Sequence, residues 1–367
     1  MYLKEKIKER ARKLGLPIFG VTTAEPLSGY FDILEQRKQL SLESPFERNW
    51  HSKNRCSPQE IMPDAQSAIC VGLPYFSGGN NSDKYLGIIS RYAWGRDYHL
   101  VMKEKLQALV NFLCSLSHSN CKAEVFVDSV PLLEKVLAVR AGLGWIGKNS
   151  LLYNQDYGSW FYLGEILTDV ILEPDTPVEG GCGSCSACIS ACPTGALIQP
   201  YALDANRCLS CVTQVPGLPA PELREKMGTT VFGCDRCQEV CPQNCQVREV
   251  NFPRIRTGFG REELWEIIEM PRKEFNRFFK ETCWGWVGKS VISRNAIIVL
   301  ANAFREGDIN SLTAHLSDPD PEIRAASAWA LGQNVGRCAA ACLRQRLLNE
   351  EDDGVCREIT RILESIA

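Results

Sequence analysis

The stretch Cys182-Gly-Ser-Cys185-Ser-Ala-Cys188-Ile-Ser-Ala-Cys192-Pro193 spaces its thiols as C-x2-C-x2-C-x3-C-P without a gap. Tight loops let three thiolates from so short a segment hold three irons of one cubane, and the fourth, turned away by the proline, ligates a second cluster. A partner run follows as Cys234-Asp-Arg-Cys237-Gln-Glu-Val-Cys241-Pro242, without a first cysteine at the usual spacing. The missing ligand comes from elsewhere, and Cys208 or Cys211 is available. The ligand count then closes on two 4Fe–4S clusters. One takes Cys182, Cys185, Cys188 and Cys241; the other takes Cys192, Cys234, Cys237 and Cys208, with Cys211 the open alternative to Cys208. Structural zinc uses isolated C-x2-C pairs and does not explain two interlocked runs that each end in Cys-Pro.

Around this segment the composition is ordinary. The 367 residues are 45% hydrophobic and 23% charged, which excludes disordered and low-complexity classes and suits two or three domains. A net charge of −3 is not that of a polycation, so any nucleic-acid site must be local. Ten of the 18 cysteines fall between Cys182 and Cys245. The N-terminal MYLKEKIKERARKLG is too charged for a signal peptide, and no apolar run approaches the roughly 18–20 residues that span a bilayer. A cytoplasmic chain in reducing surroundings is expected, where clustered cysteines serve as ligands rather than disulfides. Cys56, Cys70, Cys114, Cys121, Cys283, Cys338, Cys342 and Cys356 read as small packing residues, and Cys211 and Cys245 are surplus.

Upstream, residues 1–15 carry Leu3, Ile7, Ala11 and Leu14 at helical spacing and stop at Gly15. Residues 65–74, 123–127 and 161–172 read as strands, and 131–141 as a helix closed by the glycines of GLGWIGKN. This alternation over 1–175 predicts an α/β or α+β domain. The aperiodic EPDTPVEGG at 173–181 marks a boundary, placing a cysteine-rich domain at 176–260 and a helical one at 261–367. In that last part, Arg294-Asn-Ala-Ile-Ile-Val-Leu-Ala-Asn is echoed by Arg324-Ala-Ala-Ser-Ala-Trp-Ala-Leu-Gly and, faintly, from Arg357. The pattern is HEAT-like, with a shorter period than usual.

A cluster pair only moves electrons, so the first domain must use them. It has no G-x-G-x-x-G opening a strand–helix unit, which leaves a Rossmann-type nicotinamide site unsupported. Three polar-aromatic blocks stand out: RYAWGRDYH at 91–99, DSVPLLEK at 128–135 and GLGWIGKNS at 142–150. Taken in order with YGSWFYLGEILTD, the cysteine runs and FGCDRCQEVCP, they make the chain resemble the epoxyqueuosine reductases over nearly its whole length. The resemblance implies an α+β architecture: a mixed-sheet cobalamin domain shaped like nitroreductase and reductive-dehalogenase cores, a bacterial-type two-cluster ferredoxin domain and HEAT-like repeats. It implies reduction of epoxyqueuosine to queuosine at the tRNA wobble position, the last step of queuosine biosynthesis. Two 4Fe–4S clusters, cobalamin and an external electron donor of flavodoxin, ferredoxin or chemical type would serve a cytoplasmic monomer.

On the residues alone, Asp128-Ser129 ahead of Pro131 reads as a helix cap. The resemblance implies that Asp128 is the proton donor beside cobalt. A helix N-terminus holds a carboxylate ionised, so that role asks an apolar corrin and aromatic neighbours to raise its pKa. Asp97, Tyr98 and His99 are placed at the pocket rim; His99 is rejected as cobalt ligand because Met102 stands where Asp-x-His-x-x-Gly requires glycine. Arg55, Ser159 and Trp160 are further corrin neighbours by the same resemblance. For tRNA, Arg248, Arg254, Arg256 and Arg261 form a candidate phosphate track, with Phe252 and Phe259 available for stacking. Two other classes compete: a cobalamin-dependent reductive dehalogenase, disfavoured by the repeat tail, and a non-catalytic electron carrier, disfavoured by the large domain carrying Asp128.

Overall fold

The computed structural model describes residues 2–79, 84–117 and 120–366. By backbone packing the chain forms two units, each assembled from separate segments. The first comprises Met1–Gly78, Gly95–Cys208 and Asp235–Arg254; the second comprises Gly79–Trp94, Leu209–Cys234 and Ile255–Ala367.

The first unit is built on four strands in the order Ile18–Thr23, Ser67–Pro74, Phe161–Thr168, Ala123–Phe126. Every ladder in it is antiparallel. Ala123–Phe126 does run in the same direction as Ser67–Pro74, joined to it through the helix Tyr98–Leu116. Phe161–Thr168, arriving later in the chain, inserts between them in the opposite direction and converts both pairings. A parallel pair occurs instead in the second unit, where Thr230–Phe232 lies beside Gly87–Ile89, itself antiparallel to Gly258–Phe259.

Period-two alternation gives the four-stranded sheet two covered faces. The helix Glu134–Arg140 packs on Ala68, Cys70, Phe126 and Leu167. On the other face, Gly164 leaves room for Met102 and Leu106 of the helix Tyr98–Leu116. The segment 173–181 has no regular structure but is not loose. Asp175 accepts the Val21 N–H at 2.9 Å and the Lys4 ammonium at 2.8 Å. Cys114 and Cys121 form a disulfide, correcting their reading as separate packing residues. The end of one helix and the approach to the next strand bring their Cα atoms to 5.4 Å.

In the second unit the helices Lys289–Asn302, Pro321–Val335 and Asp353–Ile366 pack in sequence. Asp320 caps the middle one, accepting the Glu322 N–H at 3.0 Å, and Pro321 sits in its first turn, where a missing N–H costs nothing. The repeated arginines are structural. Arg324 meets both oxygens of Glu350 at 2.7–2.8 Å. Arg294, fully buried, donates to the carbonyls of Val212, Val215 and Gly217 and to Glu322. Arg357, the faint third echo, is exposed.

Candidate active site

Asp128 is not a helix cap. The helix expected from Pro131 begins at Glu134, with no side-chain cap, and Asp128 lies in the loop before it with a left-handed φ of 49°. Few non-glycine residues adopt that region, and it is strained enough to need outside support. Support comes from two bonds. The Asp128 N–H donates to Glu134 Oε1 at 2.8 Å, and the Tyr98 hydroxyl donates to Asp128 Oδ2 at 2.9 Å. The loop therefore presents an exposed carboxyl with one oxygen already engaged.

Tyr98 is fixed in turn. Its ring stacks on Tyr162 of the central strand, 4.6 Å between centroids, and Tyr162 meets Tyr75 and Phe252. Asp97 caps the same helix, accepting the His99 N–H at 3.0 Å and contacting His99 Nδ1 at 2.7 Å. Asp97, Tyr98 and His99 thus belong to one helix start, and Tyr98 is the one that touches Asp128.

Behind the loop lies a feature the sequence reading missed. Glu165, in the buried central strand, is fully enclosed, and among the described residues no donor reaches either of its oxygens. It faces the Glu134 carboxyl within hydrogen-bonding range. Burial, followed by the charge of Asp128, pushes Glu134 up to about 8. Burial and the Glu134 charge push Glu165 well above the carboxylate range. Lys135 donates to the Ser150 carbonyl at 2.9 Å; desolvation pulls its pKa down against the pull of Asp128, Glu134 and Glu47.

Arg55 is 9% exposed and pairs with Glu47 at 2.9 Å, yet its Nε and Nη1 are buried without acceptors among the described residues. Ser159 is held in a polar knot. Its N–H donates to Asn244 Oδ1, and its hydroxyl receives Gln238 Nε2 and Asn244 Nδ2. Trp160 is buried beside it and stacks on Phe76.

The cysteine segment leans on the GLGWIGKNS block. Lys148 donates its N–H to Cys182 Sγ at 3.4 Å and its ammonium to the carbonyls of Gly183 and Cys185, both at 2.7 Å. Asn149 binds the Tyr153 hydroxyl, and burial and the neighbouring Cys241 thiol raise the Tyr153 pKa. The glycines serve this packing: a Cβ on Gly144 would collide with the Tyr153 carbonyl. Cys188 is raised by burial and by the neighbouring Cys182 and Cys241 thiols, so those three sulfurs share one locality. Burial would raise Cys192, but N–H groups of Leu197, Thr194 and Ala196 outweigh it and favour the thiolate. Among the described residues no three His, Cys, Asp or Glu side chains converge on one ion; a cubane asks for wider spacing, one thiolate per iron.

The four arginines of the candidate phosphate track differ in what they already hold. Arg248 is exposed and loosely paired with Asp156 at 3.5 Å. Arg254 donates to Ser77 and Gly78. Arg256 binds Glu263, and half-buried Arg261 pairs with Asp308 and the Ala303 carbonyl. A second basic face went unread in the sequence: helix Arg272–Phe279 exposes Arg272, Lys273 and Arg277, with Arg277 over the exposed Phe278 ring at 4.9 Å. No helix among the described residues is long and apolar enough to cross a membrane.

Fold and site together define an iron–sulfur protein with a repeat tail. The family described as "4Fe-4S double cluster binding domain" matches residues 181–244, and "HEAT repeats" matches 290–364. "Epoxyqueuosine reductase QueG, DUF1730" matches 55–129. The epoxyqueuosine reductase of Bacillus subtilis (strain 168) is 36% identical, with 99% of this chain and 95% of the relative covered. The crystal structure of an epoxyqueuosine reductase with an epoxyqueuosine-modified tRNA-Tyr stem loop superposes at a TM-score of 0.92 and 35% identity, covering 100% of this chain and 99% of that one. A B. subtilis structure with its catalytic aspartate loop swung out of the active site gives 0.91 at 34%, with the same coverage. The chain belongs to the epoxyqueuosine reductase family.

Proposed function

We propose that this chain reduces epoxyqueuosine to queuosine in tRNA, with Asp128 as the acid that protonates the departing oxygen. The observation that carries the reading is the left-handed Asp128 loop, strained, exposed and braced by Tyr98 and Glu134, in a chain whose family performs this reaction. The B. subtilis relative is described with an aspartate on its catalytic loop, which supports the same role here.

Cobalamin, when bound, would supply a strongly reducing cobalt, and the two clusters would pass it electrons singly. The chain's residues fit such a ligand. The open N–H groups of Arg55 call for carbonyl acceptors, which the amide rim of a corrin offers; Asp97, Tyr98, His99, Ser159 and Trp160 are the further corrin neighbours in this reading. Tyr98 occupies Asp128 Oδ2, so Oδ1 carries the proton and delivers it to the oxygen leaving carbon. We assign Cys182, Cys185, Cys188 and Cys241 to one cluster and Cys192, Cys208, Cys234 and Cys237 to the other. The shared locality of Cys182, Cys188 and Cys241 supports the crossed ligation. Of the candidate tRNA contacts, Arg248 would meet phosphate directly, while Arg254, Arg256 and Arg261 would act through the partners they already hold. A cytoplasmic monomer served by an external one-electron donor suits this chemistry.

Anaerobic reconstitution, iron and cobalamin quantitation and mass spectrometry of product nucleosides test the reading together. Expected are eight irons and one cobalamin per chain and conversion of epoxyqueuosine to queuosine. Asp128→Asn is expected to keep both cofactors and lose about 10²–10⁴-fold in turnover; full turnover in that variant rejects Asp128 as the acid.

A further inference from the structure

Converting an epoxide to an alkene breaks two C–O bonds, forms one C=C bond and releases the oxygen as water. The balance takes two electrons and two protons. The clusters and an external one-electron donor of flavodoxin or ferredoxin type, acting twice, account for the electrons. Asp128 carries one proton. The other needs a source near the same loop.

We infer that half-buried Glu134 and buried Glu165 form a carboxyl pair that stores a proton and resupplies Asp128 during turnover. This deepens the proposed function and rests on Asp128 being the acid. Glu165 projects from the central strand, opposite Cys70 and Phe126 in its two ladders, onto the face covered by the helix Glu134–Arg140. Both of its oxygens are shut away from donors, so an ionised Glu165 would be a buried, unpaired charge. A contact between two carboxyls holds only with a proton in it, so the pair retains at least one. Glu134 reaches the other way, accepting the Asp128 N–H at 2.8 Å. The two glutamates and Asp128 are coupled through their charges.

Lys135 offsets part of the charge on Glu134, and among the described residues no cation is hydrogen-bonded to Glu165. Glu134 faces Asp128, Lys135 and Glu165; Glu165 faces Cys70 and Asp128. Cys70 is fully buried, with its thiol pushed well up by burial and by Glu165. Arg140, on the same helix, spends its guanidinium on Thr22 Oγ1 and the carbonyls of Thr23 and Glu25. Lys135 answers chiefly to Ser150 and the acids around it. After Asp128 Oδ1 gives its proton to the leaving oxygen, the proton held between Glu134 and Glu165 moves to Asp128, and the pair refills from solvent. No bond other than O–H bonds forms or breaks in that transfer.

Infrared spectroscopy of the purified full chain at pH 7, with kcat of the reconstituted enzyme measured across pH, tests this. A protonated-carboxyl C=O band is expected in the wild type and is expected to be weaker in Glu165→Gln, which has one carboxyl fewer. The wild-type kcat should fall as pH rises through about 8. Glu134→Gln should lose that alkaline limb and run about 10–100-fold slower, with Glu134→Asp restoring part of both. The inference is overturned if the wild type shows no such band, or if Glu134→Gln keeps the wild-type kcat and pH profile while Asp128→Asn is inactive. An active Asp128→Asn would instead overturn the reading of Asp128, whatever the band shows.

Discussion

In the helical repeats, buried charge is fully partnered; on the sheet it is not. Arg324 meets Glu350 through two bonds, and Glu350 also receives Arg346. The carboxylate is held down to about 2, because those bonds outweigh the burial that would raise it. Arg224 does the same with Glu358, and Arg294 fills its guanidinium with carbonyls. In the sheet unit, among the described residues, no donor is bonded to Glu165, which faces the Glu134 carboxyl, and Arg55 keeps two nitrogens without acceptors. Desolvation costs the same in either place. Where partners cancel it, the charge specifies packing. Where they are withheld, the cost is carried for a ligand or a proton.

The comparison breaks first at Arg294. Burial lowers its pKa only to about 10, so it remains a cation at neutral pH. Arg294→Met leaves several carbonyls and Glu322 without their donor. It is expected to destabilise the protein by about 3–5 kcal/mol, read by thermal or urea unfolding, while the cluster and cobalamin content of the surviving folded protein stays unchanged. A loss under about 1 kcal/mol would mean that partnering in the tail is not what holds it.

A smaller effect separates the carboxyl pair from an ordinary ion pair. Glu134 titrates near 8 folded against 4.5 unfolded, so the folded chain binds more protons across that interval. Wild-type stability therefore carries a contribution that is complete below pH 4.5 and is lost as pH rises through 8. Glu134→Gln lacks it. The difference between the two proteins should move by on the order of 2 kcal/mol between pH 5 and 8, the wild type losing ground as pH rises. A paired carboxylate such as Glu350 has the opposite sign, its contribution lost only as pH falls from 4.5 towards 2. Parallel stability curves for wild type and Glu134→Gln would show that no proton resides on Glu134.

Much of this was readable in the sequence because local rules governed it. The strand at Ser67–Pro74, the capped helix after Asp320 and the spacing of the cysteine runs follow from periodicity, cap chemistry and ligand reach. What escaped depends on residues far apart in the chain. The antiparallel sheet required knowing that Phe161–Thr168 inserts between two earlier strands. Asp128 failed as a cap because Glu134, six residues on, takes its N–H and displaces the helix start. The pair at Glu165 did leave a trace: a single carboxyl inside the apolar run FYLGEILT. A charged residue facing the core of a central strand is costly enough to demand a reason. In the Arg248–Arg261 segment, arginines alike in sequence differ in what they already hold.

That difference supplies the smallest effect. Arg248 has a side chain 67% exposed and a loose partner, whereas the Arg261 side chain is 11% exposed and bound to Asp308. An arginine with an exposed, loosely held guanidinium meets phosphate at little cost; one paired with a buried carboxylate would first have to abandon it. Arg248→Ala is therefore expected to weaken tRNA binding only a few-fold and to reduce the slope of log affinity against log salt by about 0.7, one contact's worth of released counterion. Melting temperature should hold. Arg261→Ala should do the reverse, lowering the melting temperature and leaving the salt slope of the folded fraction where it was. If both variants changed the slope equally, exposure and partnering would not be what distinguishes a ligand-binding arginine from a structural one in this chain.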